Sequence, residues 1–169
     1  YDYLPVNLLK GEHKQAAYLA VNPAGLVPTL ELDDGRRLTQ SMAILQYLDA
    51  EYPLPALLPA DNYQRARVLA LANTVACEIH PLNNLRVLKY LKAELGQDDA
   101  AVKLWYARWI QDGFAALESW AGRYSINGMY LHGNEVSLAD VCLVPQMYNA
   151  RRFGVDLQLF PRLVVIDHH

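Results

Sequence analysis

Asn22-Pro23-Ala24-Gly25-Leu26-Val27-Pro28-Thr29-Leu30, followed ten residues later by Gln40-Ser41, is the stretch from which the fold of this 169-residue chain is read. Asn-Pro-x-Gly predicts a turn, and the apolar run after it carries Pro28. Proline has no N–H to give to a sheet ladder, so Pro28 marks a bent strand entry or a sheet edge. A cis bond before it, a geometry essentially confined to X-Pro, would leave the Val27 N–H and C=O facing outward. An extended peptide can pair with such an edge as an added strand. Residues 29–32, the turn Asp33-Asp34-Gly35 and residues 36–39 read as a β-hairpin. Gln40-Ser41 then opens a helix, with Ser41 expected to cap it and its free N–H groups suited to a carboxylate. An ordinary hairpin and capped helix is the plainer reading. The spacing of the two motifs favours a site for a small peptide that carries a carboxylate.

Working outward, residues 3–8 read as a short strand and 12–20 as a short helical segment ended by Asn22-Pro23. Met42, Ala43, Leu45, Leu48 and Ala50 form an apolar face on a helix from Ser41 to about Tyr52. Residues 1–52 therefore read strand, helix, hairpin, helix, the order of the later part of a thioredoxin-like α/β domain. Residues 53–60 form a linker, because Pro53, Pro55 and Pro59 cannot continue a helix and stiffen an extended chain. Residues 61–169 read as all helical. Asp61 is the expected N-cap of a long helix that passes Ala70 and Val75 and kinks at Pro81. A second long helix over 99–123 carries Trp105, Trp109, Phe114, Leu117 and Trp120 as a core stripe. Ser137 with Asp140 reads as a capping box, with Val136 and Val141 spaced as a hydrophobic staple, opening a helix from Leu138 to about Arg152. That motif serves folding rather than chemistry.

The hydrophobic fraction of 53% with 20% charged residues is that of a globular protein, and no apolar run is long enough to span a bilayer. A net charge of −3 gives no electrostatic case for nucleic acid or an anionic membrane as partner. Cys77 and Cys142 have no metal-ligand spacing and read as buried thiols of a reducing, cytoplasmic protein.

Three further stretches add to the opening one: Gln40-Ser41-Met42-Ala43-Ile44 with Tyr47-Leu48; Glu78-Ile79-His80-Pro81-Leu82-Asn83-Asn84-Leu85-Arg86-Val87-Leu88; and Asn149-Ala150-Arg151-Arg152-Phe153-Gly154-Val155-Asp156-Leu157. Together they resemble the signatures of the zeta-class glutathione transferases, the maleylacetoacetate and maleylpyruvate isomerases. The resemblance implies the glutathione transferase fold: a thioredoxin-like α/β domain over 1–52, the linker 53–60, and an all-α domain over 61–169. It implies a cytoplasmic homodimer with glutathione as cofactor and a small maleyl dicarboxylate as substrate. It also implies a strand, a helix and a Ser-, Cys- and Arg-containing thiolate-stabilising motif ahead of Tyr1, and a final helix continuing from about Phe160.

A cis-enedioic acid conjugated to a carbonyl isomerises when a thiolate adds to its double bond, the resulting single bond rotates, and the thiolate leaves. A dianionic substrate calls for fixed cations, and the guanidinium fork suits a carboxylate. The resemblance assigns that task to Arg86 and Arg152. It places His80 near the glutathione backbone or thiol, and His13, Val27, Pro28, Gln40, Ser41 and Asn84 against glutathione. The plainer readings are solvated helix charges for the arginines and a kink histidine satisfied by a carbonyl for His80; Arg151 is read as a surface residue. His80 and Asn84 are expected on one helical face, with Cys77 one turn earlier. A general glutathione transferase, which needs neither arginine, is the alternative enzyme. A module that binds glutathione without catalysis is the alternative outside enzymes.

Overall fold

The computed structural model describes residues 1–169, which divide into two compact units, Tyr1–Leu54 and Pro55–His169. In the first unit a 3-10 turn at Glu12–Lys14 is followed by a short helix α1, Ala16–Leu19. Gln15 separates them with an extended backbone, φ −77° and ψ 152°, so residues 12–20 are two pieces rather than one segment. Strands β1 (Thr29–Glu31) and β2 (Arg37–Thr39) pair antiparallel, with Thr29 opposite Thr39, Leu30 opposite Leu38 and Glu31 opposite Arg37. Gly35, at φ +81°, supplies the left-handed residue that turns the hairpin. Helix α2 follows at Ser41–Glu51 and buries Ile44 and Asp49.

Residues 3–8 form no strand. A strand exists only where its backbone groups find a ladder partner, and β1 and β2 pair with each other alone. Tyr3 and Leu4 are accordingly exposed.

The second unit is helical. Asp61 caps α3 (Asn62–Asn73), its Oδ1 accepting from Gln64 N at 2.9 Å. The predicted kink at Pro81 is replaced by a different device. After Asn73 the helix widens into a π-turn over Thr74–Ile79, closed by His80 N donating to Val75 O at 2.9 Å. Pro81 has no N–H to continue the ladder, and the chain turns there until Asn84 opens α4 (Leu85–Ala93). His80 and Asn84 therefore do not share a helical face: one ends a helix and the other caps the next, through Asn84 Oδ1 and Arg86 N at 3.2 Å.

Helix α5 (Asp99–Tyr124) buries Val102, Tyr106, Ile110, Phe114, Leu117 and Ala121. The expected aromatic stripe is half right. Phe114 and Leu117 are core, while Trp105, Trp109 and Trp120 flank it half-buried. Spacings of four and three residues put the buried set on one face, and the tryptophans fall beside it. Helix α6 (Leu138–Arg152) packs on α3 and buries Leu138, Ala139, Leu143, Met147 and Ala150. Its capping box is present: Asp140 Oδ2 accepts from Ser137 N and from Ser137 Oγ, each at 2.8 Å. Val136 and Val141, spaced as a staple, remain 44% and 37% exposed. Helix α7 (Pro161–His168) starts with proline at its first turn and packs on α5 and α6. Cys77 is exposed and Cys142 half-buried, not the two buried thiols expected. Cys77 sits in the π-turn, whose buried residues are Val75 and Ile79.

Candidate active site

In the first unit the decisive loop is held from inside. Asn22, 4% exposed, donates from Nδ2 to Leu26 O at 2.7 Å, and its Oδ1 accepts from Ala24 N at 3.1 Å. Tyr18 on α1 donates from its hydroxyl to the same Leu26 O at 2.7 Å and lies 3.0 Å from Thr29 Oγ1. Leu26 O thus takes two donors, and the backbone on either side of it is fixed. Tyr18 carries no motif of its own, and nothing in the sequence singled it out.

Beyond this clamp the Val27–Pro28 bond is cis, and Val27, 41% exposed, makes no backbone hydrogen bond. The hairpin register sets Thr29 opposite Thr39, so Val27-Pro28 and Gln40-Ser41 follow from the same end, where β2 runs into α2. Both predicted motifs therefore meet at one end of the hairpin. Ser41 is the first helical residue rather than the cap. Gln40 holds the cap position with φ 70° and ψ 113°, the one non-glycine residue with positive φ. Such a backbone costs on the order of 1–3 kcal/mol and persists where surrounding structure enforces it. The N–H and hydroxyl of Ser41 have no partner, and they stand at the positive end of an 11-residue helix. His13 lies behind this loop: a Cβ on Gly25 would come 2.9 Å from His13 O, and His13 Nδ1 is buried without a partner.

These features fit a short peptide such as glutathione. Val27 offers one donor and one acceptor to an extended backbone, and Ser41 offers two donors to a carboxylate.

In the second unit, the turn after the π-segment is fastened to α5. Asn83 Nδ2 donates to Tyr106 O at 3.1 Å, and Trp105 Nε1 donates to Leu82 O at 2.9 Å. Tyr106 in turn stacks on Phe153, with ring centroids 3.5 Å apart. Arg152 stands beside that pair, its Cζ 5.7 Å from the Phe153 centroid. Burial pushes the Tyr106 hydroxyl above its ordinary pKa, while the Arg152 charge pulls it back. Tyr106 therefore links the segment that carries His80, Asn84 and Arg86 to the one that carries Arg152. Its 3.6-period position marks it as core, and that hid its second role.

Arg86 and Arg152 are exposed, and neither makes an ion pair. Arg36, Arg37, Arg108, Arg151 and Arg162 all do, with Asp34, Glu31, Asp112, Asp167 and Glu118. Arg151 is thus a surface residue tied to α7, while its neighbour is free. His80, although exposed at its edge, is crowded enough that loss of hydration pulls its pKa below the usual imidazole value.

An exposed, unpaired backbone at Val27 and a helix N-terminus at one end of the same hairpin, in a small α/β unit followed in the chain by a helical unit, fit the glutathione transferase class. Residues 1–51 match the family "Glutathione S-transferase, N-terminal domain". Over 165 residues the chain is 47% identical to the maleylacetoacetate isomerase of Pseudomonas aeruginosa, covering 96% of this chain and 76% of that one. The holo structure of a maleylpyruvate isomerase, a bacterial zeta-class glutathione S-transferase, superposes with a TM-score of 0.95 at 46% identity, covering 99% of this chain and 79% of the other. A maleylacetoacetate isomerase from Anaeromyxobacter dehalogenans, solved with dicarboxyethyl glutathione and citrate in its active site, gives a TM-score of 0.85 at 44% identity, covering 99% and 76%. The chain belongs to the zeta-class glutathione transferases, the family of maleylacetoacetate and maleylpyruvate isomerases.

Proposed function

We propose that this protein isomerises a maleyl dicarboxylate, maleylacetoacetate or maleylpyruvate, to its fumaryl form with glutathione as cofactor. The observation that carries the reading is the pair of unpaired guanidiniums, Arg86 and Arg152, on two segments joined through Tyr106. When bound, glutathione supplies a thiol that as thiolate adds to the conjugated double bond and is released once rotation has occurred, so it is regenerated.

The chain's own residues bind and orient. Val27 pairs with the peptide backbone of glutathione, while Ser41 and the N-terminus of α2 hold a carboxylate. Gln40, Pro28 and His13 shape the same site; in the helical unit, His80 and Asn84 stand on the segment that carries Arg86. Arg86 and Arg152 take one substrate carboxylate each, which orients the double bond for thiolate addition. A neutral His80 retains one ring nitrogen as an acceptor and donates through the other. The relative solved with dicarboxyethyl glutathione supports this chemistry, since that molecule joins a glutathione sulfur to a four-carbon dicarboxylate. No helix of the chain is long and apolar enough to cross a membrane. The reading carries with it a cytoplasmic homodimer.

The test is glutathione-dependent conversion of maleylpyruvate and maleylacetoacetate, followed by the absorbance change, with Arg86→Ala and Arg152→Ala beside the parent chain. Loss of isomerisation with glutathione binding retained supports the reading. Full isomerisation in both variants would overturn the roles given to the two arginines, and no isomerisation by the parent chain beside turnover of an uncharged electrophile would favour a general glutathione transferase.

A further inference from the structure

Between the π-turn and α4 the backbone leaves the helix, and this short stretch leads directly into Arg86. Pro81 has no N–H to give, and the turn over residues 81–83 is closed by Asn83 N donating to His80 O at 3.2 Å. Two side-chain bonds do the rest of the fastening. Asn83 Nδ2 donates to Tyr106 O at 3.1 Å, and Trp105 Nε1 donates to Leu82 O at 2.9 Å. Adjacent residues of the turn are thereby tied to adjacent residues of α5. Asn84, next along, caps α4 by accepting from Arg86 N, which fixes the helix start that carries Arg86.

From the same turn of α5 the Tyr106 ring stacks on Phe153, the residue after Arg152 at the end of α6. The separation of Arg86 and Arg152 is thus set by a short series of fixed contacts and not by either helix alone. Folding by itself does not explain the chemistry of Asn83 in that series. The residue is 6% exposed, and its Oδ1 is buried with no partner. An unpaired buried acceptor lowers stability, and an apolar side chain of similar size would avoid that loss. Native proteins keep such local conflicts mainly where a site requires them. The amide supplies one donor in return, and that donor goes to Tyr106 O.

We propose that Asn83 is a positioning residue which, with Trp105, fixes the separation of Arg86 and Arg152 and thereby selects the carboxylate-to-carboxylate length of the substrate. The proposal rests on the assignment of those two arginines to the two carboxylates. Asn83 and Trp105 act through the arginines and touch no substrate themselves. Maleylpyruvate and maleylacetoacetate share one reacting double bond and differ by one methylene between their carboxylates. A fixed pair of guanidiniums distinguishes them, and a loosely held pair accepts both.

The test measures calorimetric binding of adipate, pimelate and suberate, unreactive dicarboxylates of rising length, to the full chain with saturating glutathione. The ratio of kcat/KM for the two maleyl substrates is measured beside it. The parent should prefer one length over its neighbours by about tenfold, the scale of one methylene, and Arg152→Ala should remove that preference. Asn83→Ala should reduce it to about twofold or less in both readouts, and so should Trp105→Phe, which keeps a ring and loses the N–H. Trp105→Phe decides the matter if Asn83→Ala fails to fold. A purely structural role lowers stability in urea and weakens every length alike. An unaltered length ratio in the folded variant therefore overturns the proposal while the arginine assignment stands. A parent with no length preference, or a preference retained in Arg152→Ala, overturns the arginine assignment and the proposal with it.

Discussion

Gly113 on α5 faces Ile79 so closely that a Cβ on it would lie 2.4 Å from Ile79 Cδ1 and 2.5 Å from Cγ1. Ile79 is fully buried at the end of the π-turn, so it cannot swing aside. This approach lets the π-turn lie against α5, and the His80–Arg86 segment leaves the core from that point. Gly113→Ala should therefore destabilise the protein by about 1–3 kcal/mol through overpacking, despite alanine's better helix propensity. Urea unfolding measures the loss. Adding Ile79→Ala should cost less than the sum of the two single variants, because it removes the atoms in conflict.

Asp140 carries three donors, Leu131 N, Ser137 N and Ser137 Oγ, at 5% exposure. Asp140→Ala strips the cap of α6 and leaves buried N–H groups unpaired, for a loss of roughly 3 kcal/mol. Thermal and urea unfolding of the variant check this; a change within error would mean that water replaces the carboxylate.

Gln40 pairs a costly backbone with an exposed side chain at the proposed glutathione site. Gln40→Gly should raise stability by about 1 kcal/mol, since glycine adopts φ 70° without steric conflict. The same change should weaken glutathione binding in calorimetry. Gains in both, or losses in both, would separate the strain from the site.

Arg152→Ala should lower kcat/KM for a maleyl dicarboxylate by about 10- to 100-fold, the scale of one lost charge-assisted hydrogen bond. Turnover of an uncharged electrophile with glutathione should be retained. Arg151→Ala, which breaks a surface ion pair with Asp167, should leave both rates near the parent values.

His80 and His132 are both held below the ordinary imidazole value of 6.5, in each case chiefly by loss of hydration. Between the lowered folded value and 6.5 the unfolded chain binds more protons than the folded one. Stability should therefore rise with pH through that window, and acidification through it removes this contribution, which levels off below the folded value. His80→Gln and His132→Gln should each flatten this acid limb in urea unfolding, and an unaltered slope in both would contradict the assignment.

Residues close in the chain were legible because their signals are local. Asn22-Pro23 with Gly25 wrote the turn, Pro28 the bent entry, Asp61 and Ser137 with Asp140 the helix starts, and the spacing to Gln40-Ser41 the hairpin between them. Each rests on a backbone angle, a missing N–H or a short-range cap. The motifs also carried the family, and with it the proposed arginines. Tertiary structure decided what depends on partners distant in sequence. Residues 3–8 have strand composition but no ladder partner. The helix that should have kinked at Pro81 widens earlier, where Ile79 settles against Gly113. Tyr18 and Tyr106 gained their positioning roles from contacts with Leu26, Phe153 and Asn83. Arg67 and His132 are sixty-five residues apart, and only the folded chain brings them to one ring, because packing chooses neighbours by shape and burial, not by order along the sequence.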